Sequence, residues 1–190
     1  DSTVVETNIH HPTDSGLLCD GVRVLSRLLR RAKAVIGHAI ERGKDVFRTR
    51  SARRVAQALH RLARRKGDEA VAHVRRAYER LLTIAHQSQH QAQRVCTALG
   101  TRSEKKARRL AQCFEQFLPR VAQVVSQTTR RVLRGEAVPA PEKLVSLFEP
   151  HTQILQRHKP GKAVEFGRKL WLDEVEGGLI SRYALLPSAG

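Results

Sequence analysis

Apolar residues recur along most of this chain at alternating intervals of three and four, the spacing that gathers one stripe on one side of an α-helix. Leu18, Val22, Leu25, Leu29, Ala32 and Ile36 form the first stripe. Ala52, Val55, Leu59 and Leu62 carry a second, in a stretch from about Asp45 to Lys66 whose outer positions are almost all Arg. Lys66-Gly67-Asp68 interrupts the pattern, and Val71, Val74, Tyr78, Leu81, Ala85, Ser88, Ala92, Val95 and Leu99 then hold it through four heptads. After Gly100 and a polar turn, Ala107, Leu110, Phe114, Phe117, Val121, Val124, Thr128 and Val132 continue a similar stripe to Gly135. Pro119 lies inside that last stripe and lacks a backbone donor, so a kink or break is expected there. Helices joined this closely are expected to pair antiparallel, the two long ones as a coiled-coil-like hairpin.

The ends of the chain have a different period. Thr3, Val5, Thr7 and Ile9 share one face at period two in a β-branched run, which predicts a strand. His11-Pro12-Thr13-Asp14-Ser15-Gly16 reads as a turn whose Thr, Asp or Ser caps the first helix. Past the Pro-containing linker 135–141, Lys143–Phe148 and Phe166–Asp173 read as strands, and Gly177-Gly178 should turn the chain into an antiparallel partner, Leu179–Leu186. The predicted fold class is α+β, mostly helical. Residues 1–16 supply the first strand and its turn, 17–135 a block of about four helices, and 136–190 a linker and antiparallel strands.

Charge changes this picture from architecture to partner. The chain has 35 Lys and Arg against 18 Asp and Glu, a net of +17, yet 41% of it is hydrophobic, so it is not a disordered basic tail. From Asp20 to Gly135 there are 28 basic and 8 acidic residues, a local net of +20, which leaves −3 for the rest. A field of that sign and density attracts polyanions, and nucleic acid is the expected partner. At 4% aromatics there is no platform for stacking single-stranded bases, so the helices are expected to grip duplex backbone without reading sequence.

Other chemistry is thin. Nothing approaches the roughly 18 apolar residues of a membrane span, and the polar start lacks a signal-peptide layout, so a cytoplasmic chain without membrane contact is expected. Cys19, Cys96 and Cys113 are odd in number and far apart, as reduced, space-filling thiols would be. His86 and His90 stand one helical turn apart but have no evident third ligand for zinc. Asp173, Glu174 and Glu176 fall in a predicted turn and read as surface charge. The chain begins with Asp and contains no Met, which suggests an internal piece of a longer protein.

Several short segments carry a family resemblance in a fixed order. Asp1-Ser2-Thr3-Val4-Val5-Glu6-Thr7-Asn8-Ile9-His10-His11-Pro12-Thr13-Asp14-Ser15 resembles the segment around the first acidic residue of bacterial insertion-sequence transposases of the DDE type. Arg130-Arg131-Val132-Leu133-Arg134-Gly135-Glu136 belongs to the same resemblance. So do Ser146–Thr152 and Glu165–Leu170, which look like strands preceding the second acidic residue. The end, Leu186–Gly190, departs from the Gly-Asn turn and following Asp of similar proteins.

The resemblance implies a ribonuclease H-like core, here about three strands, with the basic helices inserted after the first. In such a core three carboxylates hold two Mg²⁺ (or Mn²⁺) ions for phosphodiester cleavage and strand transfer, because these hard cations prefer oxygen ligands. It makes Asp1 the first metal ligand and catalytic carboxylate, while Asp14 suits a helix cap better. The other two acids of the triad fall beyond this sequence, so this segment is expected to be inactive alone. The implied partner is double-stranded DNA, transposon ends and target, with homo-oligomers left open. Arg53, Arg54, Arg64, Arg65, Lys105, Arg108, Arg130 and Arg131 are the candidate backbone contacts, with Arg168 and Lys169 as candidates nearer the metals. The alternative is a non-enzymatic basic helical protein that binds nucleic acid or another coiled coil.

Overall fold

Each apolar stripe becomes a helix. In the computed structural model, which describes residues 2–37, 44–159 and 162–186, α1 spans Asp14–Ile36, α2 Lys44–Leu62, α3 Asp68–Gly100 and α4 Lys105–Thr128. Strands β1 (Ser2–Glu6), β2 (Gln153–Lys159), β3 (Lys162–Val175) and β4 (Leu179–Leu185) form one antiparallel sheet. The protein is thus α+β and mostly helical, with a small antiparallel sheet. It divides into two compact units: Thr13–Val138, which holds the helices, and Asp1–Pro12 with Pro139–Gly190, which holds the sheet.

The helical unit begins at Thr13, whose extended backbone and Oγ1, accepting from the Gly16 N–H at 3.1 Å, cap α1. α1 packs against each of the other helices, and so does α3. Gly21 of α1 lies close to Val121 of α4, Arg48 of α2 donates to Gln91 of α3, and the Cys96 thiol of α3 approaches the Ala111 carbonyl of α4 at 3.9 Å. Those levels define an up-down-up-down bundle. Its core is drawn from the predicted stripes: Leu18, Val22, Leu25 and Leu29; Ala52, Val55 and Leu59; Leu81, Ala85, Ala92, Val95 and Leu99; Ala107, Leu110, Phe114, Val121 and Val124 are all buried. Each Leu or Phe so enclosed is worth about 1.5–3 kcal/mol of transfer free energy. The α3 stripe starts late, because Val71 is 67% exposed.

Pro119 does not break α4, which runs through it as one helix. Its ring sits on the exposed face beside exposed Glu115, the residue whose carbonyl loses its N–H partner, so water can replace that bond. The helix then widens into a π-helical turn, Thr129–Leu133. Gly135 at φ 68° reverses the chain, so that the Glu136 N–H reaches the Arg130 carbonyl at 2.9 Å.

In the sheet unit β3 is the long central strand. β1 pairs with it from Gly167 to Trp171, β2 from Lys162 to Gly167, and β4 from Leu170 to Val175. Gly167 has partners on both β1 and β2, and Leu170 on both β1 and β4. β2 and β4 therefore lie end to end along the edge opposite β1. Gly167 is needed there, since a Cβ would come within 2.2 Å of the Val5 carbonyl oxygen. Gly177 and Gly178, at φ 95° and 80°, make the β3–β4 turn.

Two expectations for this unit differ from the structure. Lys143–Phe148 is not a strand: it runs as an irregular segment whose Leu144, Val145 and Leu147 are buried. Ser146 explains the bend, because its Oγ accepts from the N–H groups of Phe148 and Glu149 at 3.3 and 3.0 Å. β2, by contrast, had no alternating signature to announce it, its adjacent Ile154 and Leu155 being flanked by polar residues.

Candidate nucleic-acid interface

The helical unit Thr13–Val138 carries 28 basic and 10 acidic residues, a net of +18, and the sheet unit 7 and 8, a net of −1. Amphipathic helices explain why these cations are outside: once the apolar stripe is buried, the polar positions fall on the solvent side. Arg53 and Arg54 on α2, Arg64 and Arg65 just past its end, and Lys105 and Arg108 at the start of α4 are all exposed. Among the described residues none of the six is within ion-pair distance of a carboxylate. The antiparallel order places them apart. Arg64 and Arg65 lie at the end where α1 and α3 begin, and Lys105 and Arg108 at the end where α1 and α3 finish.

α1 supplies the stretch between. Arg23, Arg27, Arg30 and Arg31 are exposed on the side opposite its buried stripe. Arg23 of α1 and Arg53 of α2 both act electrostatically on the Cys19 thiol. Arg23 and Arg27 were missed as candidates because they are single arginines; their complement to the spacing Leu18, Val22, Leu25 and Leu29 was the signal available.

Arg23 is paired with Asp20 at 2.9 Å, and Arg130 and Arg131 are likewise committed within the protein. Arg131 Nη1 donates to Asp14 Oδ2 at 2.7 Å, and the Asp14 side chain is only 8% exposed. Tyr78 belongs to the same cluster: burial and then the Asp14 carboxylate push its phenol above its ordinary range, against the pull of the Ser15 hydrogen bonds and Arg131. Arg130 Nε and Arg134 Nη1 lie 3.0 and 3.6 Å from the two Glu136 carboxylate oxygens. The π turn thus ties its arginines to acids of the protein.

Arg168 and Lys169 sit in the middle of β3, opposite Val5 and Val4 of β1. Neighbouring residues of a strand point to opposite faces, so the two do not serve one contact. Both are half-buried, and the Arg168 Nε is enclosed without a hydrogen-bond partner. Asp1, the expected metal ligand, lies outside the described residues. Among those described, no three His, Cys, Asp or Glu side chains are grouped to hold a metal ion.

The thiols are free, Cys96 buried and Cys19 and Cys113 half-buried. Burial, and then Asp20, push the Cys19 thiol up to about 11 despite Arg23 and Arg53. Burial and then Glu115 raise that of Cys96. His86 and His90 line a trough of about 460 Å³ with Gln89, Gln93, Leu118, Pro119 and Ala122. Among the described residues no helix is long and apolar enough to cross a membrane.

No family model, curated protein or solved structure matches this chain.

Proposed function

We propose that this chain is a segment of a DNA transposase of the DDE type, in which the helical unit holds the backbone of duplex DNA and the sheet unit belongs to a ribonuclease H-like catalytic core. The observation that carries the reading is the concentration of +18 net charge in one unit, with unpaired arginines and lysines on its surface. Its support is the chain order. The first strand and the later hairpin share one sheet although the helices separate them in sequence, the arrangement that the resemblance of the Asp1–Ser15 and Glu165–Leu170 segments implies.

The resemblance implies three carboxylates around two metal ions, because hard divalent cations prefer oxygen ligands. On this reading Asp1 would be one ligand of the Mg²⁺ or Mn²⁺ ions, alongside the other two carboxylates that the resemblance implies. A non-enzymatic role in nucleic-acid binding is the second reading, favoured by a bundle that encloses its own core.

The test is binding of the full chain to random-sequence duplex DNA across a salt series. Affinity should fall with a log–log slope near −0.9 for each phosphate neutralised. Affinity that is flat from low to high salt, or no binding at low salt, overturns the proposal.

A further inference from the structure

Charge is unevenly placed along α3. Between Leu81 and Gly100 the sequence has one charged residue, Arg94, although Arg75, Arg76 and Arg80 precede it and Arg102 follows. The exposed positions there are nevertheless polar: Thr83, His86, Gln87, His90, Gln93, Arg94 and Thr97. At about 100° per residue these positions, together with Arg76 and Arg80, fall within an arc of about 140° on one side of the helix. Arg80 and Arg94 are separated along it by about 21 Å. The Thr83 and Thr97 hydroxyls are turned inward, donating to the Glu79 and Gln93 carbonyls at 2.9 and 3.1 Å. Besides Arg94, His86, Gln87, His90 and Gln93 remain, with no side-chain hydrogen bond among the described residues; His86 lies toward the α4 side, in the trough with Leu118, Pro119 and Ala122.

A face that only tracked phosphates would gain from cations at these positions, and a coiled-coil face would need apolar residues. Amide and imidazole groups suit a third partner. Gln presents a donor and an acceptor at fixed spacing, which matches the N6 and N7 atoms of adenine in the major groove, and that groove admits an α-helix. The net charge of +18 on the unit selects a polyanion as the molecule that approaches.

We propose that the outer face of α3 enters the major groove of duplex DNA, with Gln87, His90 and Gln93 reading base edges and Arg76, Arg80 and Arg94 holding the phosphates on either side. This rests on the DNA-binding reading above and adds sequence selectivity to the backbone grip expected from charge alone.

The experiment selects a duplex from a random-centre pool with the full chain, then compares affinity for the enriched duplex and a scrambled one at fixed salt. The enriched duplex should bind about 10-fold tighter or better. The triple variant Gln87→Ala, His90→Ala, Gln93→Ala should bring the two duplexes to within about twofold while leaving scrambled-duplex affinity near wild type. Gln87→Lys with Gln93→Lys should tighten binding to both and also abolish the preference, a gain that a misfolded variant would not show. Duplex binding without enrichment, or a preference that survives in the triple variant, overturns this inference and leaves the DNA-binding reading standing. Equal affinity for an RNA duplex of the enriched sequence also overturns it, because the deep, narrow major groove of RNA excludes a helix. Absence of any duplex binding overturns both.

Discussion

Replacing Arg131 with Ala separates two roles that look alike in the sequence. Arg131 stands in an Arg-Arg pair like Arg64-Arg65, but its guanidinium binds Asp14 at 2.7 Å, joining the turn after α4 to the first turn of α1. The Asp14 side chain is 8% exposed and that of Arg131 is 45% exposed. Removing one member of a fully buried pair costs about 3–5 kcal/mol, whereas an exposed pair contributes about 0–1 kcal/mol. A pair with one end in water lies between, so Arg131→Ala should cost about 1–2 kcal/mol, with the α1 N-terminal dipole still favouring the carboxylate left behind. For a unit of this size that lowers Tm by roughly 4–8 °C. Urea and thermal unfolding of Arg131→Ala, Asp14→Ala and the double variant measure the coupling directly. In parallel, Arg131→Ala should change duplex-DNA affinity less than twofold, by roughly the share of one charge that was already neutralised. Arg64→Ala with Arg65→Ala should do the reverse, keeping stability within about 0.5 kcal/mol and making the salt slope shallower by about 1.8. Wild-type stability of Arg131→Ala together with a large loss of DNA affinity would refute the assignment of Arg131 to the fold.

Three further outcomes test other parts of the structure. Gly167→Ala should unpair β1 from β3, since its Cβ would meet the Val5 carbonyl oxygen at 2.2 Å; hydrogen exchange should rise in β1 and β3 and stay at wild-type levels in α1–α4. The Cys19 thiol, pushed up to about 11 chiefly by burial, should resist alkylation at pH 8, where about one molecule in a thousand carries the thiolate. Its reactivity should climb as pH approaches 11, and rapid labelling at pH 8 would count against the enclosed position. Leu179, Tyr183 and Leu185 are 69%, 75% and 58% exposed on a strand whose outer edge is unpaired among the described residues. Leu179→Lys with Leu185→Lys should therefore reduce light scattering at high concentration without changing the circular dichroism of the helices.

The helices were legible because burial in a bundle imposes a period that few other structures share. Leu18, Val22, Leu25 and Leu29 are buried for the same reason that they are spaced as they are. The sheet was legible only in part. β3 and β4 announce themselves through the strand-like stretch Phe166–Asp173 and a Gly-Gly turn, but Lys143–Phe148 looks equally strand-like and is irregular. Side-chain capture of the backbone by Ser146 decides that segment, and no periodicity records it. The candidate interface shows a similar limit. Arg pairs mark where cations are, while the partners of Arg130 and Arg131 come from Glu136, six residues away, and Asp14, 117 residues away. Only the fold brings Asp14 to Arg131, so the distinction between structural and free arginines is tertiary.

The placement of the acids yields a last prediction, which concerns salt. Asp14, Asp20, Glu79, Glu104 and Glu136 each lie against an arginine, most of them close in sequence. These pairs reduce repulsion locally and leave the end of α2 and the start of α4 uncompensated. A net magnitude of about 2–8 keeps a small domain soluble, and the +18 of the helical unit is well past it. Repulsion of that size destabilises the compact state unless counter-charge is supplied, and it is screened as ionic strength rises. The same arginines then give two opposite salt responses. Raising NaCl from 50 to 500 mM should raise Tm by screening the protein against itself, and should weaken duplex binding by removing the release of counterions. Short duplex DNA at low salt should raise Tm as well, since a ligand that binds the folded state stabilises it. A Tm that falls with salt would show that the surface ion pairs outweigh the repulsion. A Tm indifferent to duplex at low salt would show that the polyanion is not what these charges await.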